Sequence, residues 1–156
     1  MKAPRVSLWL VVSLATLAVV FGVGCGETMM IVSKSMEPTI PEGQRVAVDR
    51  NAFDDTEPQC GDIVIFEFDS TFRIYRVIGL PGETIEIEAG AVYVNGISLD
   101  EPYLANGTRT QSRTDSFEVP NGSYFLLGDN PTAPTIPDPL EPYPDHRSSE
   151  KPVRTV

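Results

Sequence analysis

The sequence predicts a mainly β protein, in which one N-terminal apolar transmembrane helix precedes a small antiparallel β domain. Three observations lead there. An uncharged apolar run extends from Val6 to Gly24, the periodicity beyond it is two rather than 3.6, and turn residues punctuate the alternating stretches, Asn95-Gly96 foremost.

The run from Val6 to Gly24 is mostly Leu, Val, Ala and Phe. At helical rise it covers roughly 28 Å, enough for the hydrocarbon core of a bilayer. Lys2 and Arg5 stand on its N-terminal side. Positive flanks stay in the cytoplasm, so residues 1–5 are expected inside, 6–24 as a membrane-spanning signal-anchor, and the rest outside. The small residues Gly22-Val23-Gly24 before Cys25 also fit a cleaved secretory or lipoprotein-type signal. Either outcome delivers the domain to the outer face.

The β domain is expected over residues 25–130. Arg45 to Asp49 reads as a short strand and Asp62 to Phe68 as a longer one, rich in β-branched and aromatic residues. Phe72 to Ile78 forms the next and is stopped by Leu80-Pro81-Gly82. Thr84 to Glu88 alternates cleanly. Ala91 to Val94 and Ile97 to Leu99 flank Asn95-Gly96 as a hairpin, and Tyr124 to Leu127 closes the series. From Pro131 onward, 7 of the 14 prolines fall among few apolar residues. Such a tail, 131–156, buries too little apolar surface to offset its ordering entropy and is expected to lack a fold of its own.

Charge limits the partners. Of the 12 basic residues, Lys2 and Arg5 precede the apolar run, leaving 10 against 22 acidic residues and a net of about −12 beyond it. That field repels phosphate, so nucleic acid is not expected as a partner. Cys25 and Cys60 are read as independent thiols rather than a disulfide, and neither belongs to a metal-ligand pattern. No metal or other cofactor is expected. Asn106-Gly107-Thr108 and Asn121-Gly122-Ser123 fit the glycosylation pattern, although Asn-Gly is foremost a turn signal.

The chemistry concentrates in Ser33-Lys34-Ser35-Met36-Glu37-Pro38-Thr39, about ten residues after the apolar run. A serine hydroxyl needs a base to attack an amide, and donors to hold the oxyanion that forms. This heptad beside a membrane anchor resembles the nucleophile segment of the type I signal peptidases, serine endopeptidases that remove signal peptides at the membrane surface. Further segments are similar to that family in the same order: Gly61 to Phe66, Arg76 to Glu83, Val92 to Gly96 with Glu101-Pro102-Tyr103, and Gly128-Asp129-Asn130.

The resemblance implies a set of roles. Ser35 is the nucleophile; the Ser33 hydroxyl and the Ser35 backbone N–H line the oxyanion hole; Pro38 fixes the loop and Met36 packs near the substrate. Asp62, Arg76 and Asp129 support the site, with the two aspartates expected to organise turns rather than carry protons. Signal peptides of exported preproteins and the lipid bilayer are the implied partners, at the cell membrane with the domain on its extracytoplasmic side.

Two departures stand out. Where the bacterial family has a lysine before the Arg-Val of its third block, this chain has Tyr75, and Pro131 opens the tail where the family continues with serine and Asp-Ser-Arg. A buried lysine loses its proton toward neutral pH, whereas burial moves a tyrosine away from its charged form. Tyr75 therefore needs a cation beside its phenolate; strand alternation puts Arg76 on the other face and Arg73 on the same one. Lys34 projects away from its neighbour Ser35 and reads as a solvated charge, while His146 and Lys151 sit in the tail. The alternative is a relative of the same fold that lacks the base and serves as a peptide-binding or accessory subunit.

Overall fold

The computed structural model describes residues 27–68, 70–105, 107–110 and 116–133, and the backbone strands Tyr143–Pro144 and Val153–Thr155. The apolar run, Cys25, His146 and Lys151 lie outside the described residues. No helix among the described residues is long and apolar enough to cross a membrane.

Eleven strands follow one another: β1 Glu27–Met30, β2 Arg45–Asp49, β3 Ile63–Phe68, β4 Thr71–Gly79, β5 Thr84–Glu88, β6 Ala91–Val94, β7 Ile97–Ser98, β8 Phe117–Glu118, β9 Ser123–Leu127, β10 Tyr143–Pro144 and β11 Val153–Thr155. They form a seven-stranded sheet, β1-β2-β11-β3-β4-β9-β10, and a four-stranded sheet, β7-β6-β5-β8. Every pairing is antiparallel. The six strands read from alternation between residues 45 and 99, and the last before Gly128, all occupy sheets within a residue or two of their expected bounds.

Local chemistry explains the turns. Asn95 and Gly96 both take positive φ, 52° and 76°, which a two-residue hairpin matched to strand twist requires. Gly79 is fixed by close packing instead: a Cβ there would lie 2.6 Å from Ile85 Cδ1. At that point β4 leaves the large sheet, with a register shift against β9 between Val77 and Gly79.

Strand β4 contributes to three apolar clusters, which is how one strand ties the domain together. Ile74 packs with Met36, Ile40, Val46, Val48 and Ile65. Val77 and Tyr75 pack with Phe53, Val64, Phe66 and Tyr124 on the other face. Ile78 joins Ile85, Val92, Val119 and Phe125 between β4, β9 and the small sheet.

Four strands were not foreseen. β1, with the sequence Glu-Thr-Met-Met, carries no apolar alternation, and β8 is two residues long. β10 and β11 fall within the tail expected to lack a fold. β11 fills the gap between β2 and β3, where its backbone completes their ladders.

Candidate active site

The heptad forms a turn seated on the chain that follows β9. Within it Ile40 N–H donates to Met36 O at 2.8 Å, and Glu37 N–H donates to Lys34 O at 3.2 Å. The Glu37–Pro38 peptide bond is cis and Pro38 faces solvent. Met36 is 0% exposed inside the cluster with Ile31 and Ile74. Burying such a side chain is worth about 1.5–3 kcal/mol. The exposed Lys34–Glu42 pair at 3.9 Å contributes less than about 1 kcal/mol, so core packing fixes the turn. Met36 is thus a buried anchor next to Ser35.

Two hydroxyls meet above this anchor. Ser33 Oγ lies 3.0 Å from Ser35 Oγ, and Ser35 is buried while Ser33 is exposed. The Ser35 backbone N–H donates to no backbone carbonyl among the described residues. Its carbonyl accepts Asn130 N–H at 2.9 Å, and Asn130 Nδ2 donates to Lys34 O at 3.0 Å. Gly128 passes so close that a Cβ would collide with the Ser35 carbonyl oxygen. Gly128-Asp129-Asn130 is recognisable in the sequence as a block; the clamp its first and last members place on the Ser35 turn is a long-range contact.

Asp129 is a wholly buried carboxylate and accepts three hydrogen bonds. Arg76 Nε reaches Oδ1 at 2.8 Å, Arg76 Nη2 reaches Oδ2 at 2.5 Å, and Thr39 Oγ1 reaches Oδ2 at 2.5 Å. Arg76 Nη1 also donates to Gly61 O at 2.9 Å, and its guanidinium stacks 4.3 Å from the Tyr103 ring centroid. The hydrogen bonds to Asp129 raise the Arg76 pKa further above its ordinary value, against the opposing effect of burial. Asp129 is a structural hub joining the turn to β4. Asp62 likewise organises its turn, accepting Gln59 N–H at 2.9 Å.

Next to this hub stands a pair the sequence reading did not assign. Tyr103 Oη donates to Glu101 Oε1 at 3.2 Å. Burial raises the Glu101 carboxyl, and burial together with Glu101 pushes the Tyr103 phenol far above its usual range.

The candidate bases separate. Lys34 points to solvent, as expected. Tyr75 is half-buried against Phe66, ring centroids 6.0 Å apart, on the face of β4 opposite Ile74 and Arg76. Arg73 shares that face; its guanidinium lies 5.8 Å from the Phe68 ring centroid and its Nε is buried without a hydrogen-bond partner. Among the described residues, the only side chain hydrogen-bonded to Ser35 Oγ is Ser33. Cys60 is a free thiol, with burial and then Glu83 raising its pKa. No group of three or more potential metal ligands occurs among the described residues.

Comparison with known proteins identifies the family behind this arrangement. The model of the family described as signal peptidase, peptidase S26, matches residues 5–133, and the chain belongs to that family. It is 37% identical over 114 residues to a signal peptidase I of Bacillus amyloliquefaciens, covering 67% of this chain and 59% of the relative. To signal peptidase I S of Bacillus subtilis it is 37% identical over 106 residues, with 62% and 57% covered. To probable signal peptidase I-2 of Synechocystis it is 33% identical over 143 residues, with 83% and 64% covered. The chain thus spans less than two thirds of the length of these relatives.

Proposed function

We propose that this chain is a membrane-anchored serine endopeptidase that cleaves signal peptides from exported preproteins, with Ser35 as nucleophile. The observation that carries the reading is the Ser33–Ser35 hydroxyl pair, at 3.0 Å, on a turn clamped by Gly128 and Asn130. Ser35 Oγ gives its proton to a base and attacks the carbonyl after a small residue, the Ser33 hydroxyl and the Ser35 N–H hold the oxyanion, the C–N bond breaks as the amine of the mature chain takes the proton and leaves, and water hydrolyses the acyl ester to a carboxylic acid and free Ser35. The apolar run holds the turn near the extracytoplasmic surface of the cell membrane, raising its effective concentration toward sites that emerge there.

The lysine position of the family holds Tyr75, on the face of β4 away from Ile74 and Met36 and not hydrogen-bonded to Ser35, so proton removal by Tyr75 requires its side chain to turn toward the Ser35 turn. Its phenolate requires a cation, and Arg73 on the same face, with its Nε unpartnered, is the candidate.

A second reading is favoured by that same substitution. Tyr75 packs among Phe53, Val64, Phe66 and Tyr124, an environment that keeps a phenol neutral. Without a base, the fold serves as a peptide-binding or accessory subunit. Incubating the detergent-solubilised full chain with a preprotein separates the two. Cleavage at the signal junction that disappears in Ser35→Ala supports the protease; binding of the signal peptide without Ser35-dependent cleavage supports the subunit.

A further inference from the structure

The segment after β7 reaches from the small sheet to the large one. Leu99 N–H donates to Val92 O at 2.8 Å, and Leu99 and Tyr103 both pack against the cluster of Ile78, Ile85, Val92 and Phe125. Leu104 N–H closes a turn on Glu101 O at 3.2 Å. From that footing the Tyr103 ring lies over Arg76, with the guanidinium carbon 4.3 Å from the ring centroid, and the hydroxyl donates to Glu101 Oε1 at 3.2 Å. Apolar packing along the ring and a hydrogen bond at its tip fix Tyr103 in this place.

Arg76 has a use for such a cover. Its in-plane donors are committed, Nε and Nη2 to Asp129 and Nη1 to Gly61 O. Those bonds aim the fork but leave the flat face of the guanidinium to be covered by something else. A guanidinium is weakly hydrated and stacks well on an aromatic ring. A ring on that face also excludes water, and a lower local dielectric strengthens the pair with Asp129. Asp129 in turn accepts the Thr39 hydroxyl at 2.5 Å, and Thr39 belongs to the Ser35 turn. Burial and Glu101 push the phenol far above its usual range, so its hydroxyl stays a donor to Glu101.

We propose that Tyr103 is a positioning residue for the reaction at Ser35: its ring holds Arg76 on Asp129, and Asp129, through Thr39, sets the place of the Ser33–Ser35 turn. The role rests on the reading of Ser35 as nucleophile. The Tyr103 hydroxyl is taken by Glu101, so its effect on Ser35 passes through Arg76 and Asp129. The ring, not the hydroxyl, does the positioning, which makes phenylalanine an adequate substitute and leucine an inadequate one. Losing the ring loosens the turn and slows attack by a hydroxyl that must meet its carbonyl in one geometry, while the contacts that bind the peptide persist.

The test uses the full chain in detergent, with Tyr103→Leu, Tyr103→Phe, Thr39→Val and the Thr39→Val, Tyr103→Leu double variant. Amide hydrogen exchange is followed by NMR at Asn130 and Ile40, which bond Ser35 O and Met36 O, and at Asn95 and Val119, which bond Thr84 O and Glu83 O away from the turn. Acylation of Ser35 is followed with an activated ester of a signal peptide ending in alanine. Tyr103→Leu is expected to speed exchange at Asn130 and Ile40 about tenfold and to leave Asn95 and Val119 within about twofold. It is expected to lower the saturating acylation rate about tenfold, with the half-saturating peptide concentration within about twofold. Tyr103→Phe recovers both readouts to within about threefold, and adding Tyr103→Leu to Thr39→Val slows acylation by less than about twofold more. Exchange that is unchanged at Asn130 and Ile40, or faster at all four amides, overturns the positioning role, and so does a second tenfold loss in the double variant. Faster exchange at the turn with an unchanged acylation rate overturns it too and leaves Ser35 as nucleophile. A parent chain that takes no peptide on Ser35 overturns the nucleophile reading and the proposal with it.

Discussion

Arg76 grips Asp129 through two parallel hydrogen bonds, Nε to Oδ1 at 2.8 Å and Nη2 to Oδ2 at 2.5 Å, with the carboxylate wholly buried and the arginine side chain 12% exposed. Thr39 completes the site from the Ser35 turn. Replacing Arg76 with methionine strands a buried charge. The expected destabilisation is about 3–5 kcal/mol, while the Arg76→Met, Asp129→Leu double variant recovers most of it. Chemical unfolding of the full chain in detergent, followed by circular dichroism, measures both; a loss below about 1 kcal/mol for Arg76→Met contradicts the buried-pair reading.

Gly128 is where a side chain has no room. An alanine there pushes the Ser35 carbonyl away and shifts the Ser33–Ser35 turn. Displacement of about 1 Å lowers turnover about 100-fold while the fold stays intact. Cleavage kinetics alongside unfolding curves check this; unchanged kcat in Gly128→Ala contradicts the clamp.

In the proposed reaction Ser33 holds the oxyanion and position 75 is where the base would stand. Ser33→Ala removes an oxyanion donor and is expected to lower kcat about 100- to 1,000-fold with little change in KM. Tyr75→Lys supplies a group whose neutral form burial favours, so it is expected to raise the cleavage rate, with activity rising with pH as the ammonium deprotonates. Steady-state kinetics across pH measure both. A Tyr75→Lys rate equal to that of the parent chain places the limit in the divergent segment after Asn130 rather than in the base.

Glu101 makes the stability of the domain depend on pH. Its carboxyl is raised above the ordinary 4.5, mainly by burial, against the hydrogen bond from Tyr103. The folded state favours the neutral acid, so its contribution is fully present below pH 4.5 and is lost as pH rises through the raised value. Glu101→Gln keeps the shape without the charge and is expected to flatten the stability profile over that window and to stabilise the chain at neutral pH. Unfolding measured against pH for both proteins decides it; a parent chain that gains stability across the same window, relative to Glu101→Gln, has the opposite sign.

The sequence spoke most clearly where one physical signal acts locally. Period-two alternation marks β2 to β6, and Asn95-Gly96 marks its hairpin because few other residues accept two successive positive φ values. Other elements depend on distant partners. β1 is ordered by its ladder with β2, the Glu27–Arg50 ion pair and Met29 against the core, β8 is held by two residues of β5, and β11 occupies a slot made by β2 and β3, so each depends on partners distant in the chain. The site divides the same way. Ser33 and Ser35 are two residues apart, so their meeting was legible, whereas the Asn130 clamp, the Thr39–Asp129 bond and the Tyr103 ring over Arg76 join residues far apart in the chain.

The central claim is that Ser35 is acylated. Exposing the full chain in detergent to an activated ester of a signal peptide ending in alanine, quenching in acid and weighing its fragments reads this directly. The peptide mass is expected on the fragment that contains Ser35 and on none from Ser35→Ala. A folded chain that carries no adduct there, or carries it equally after Ser35→Ala, contradicts the account.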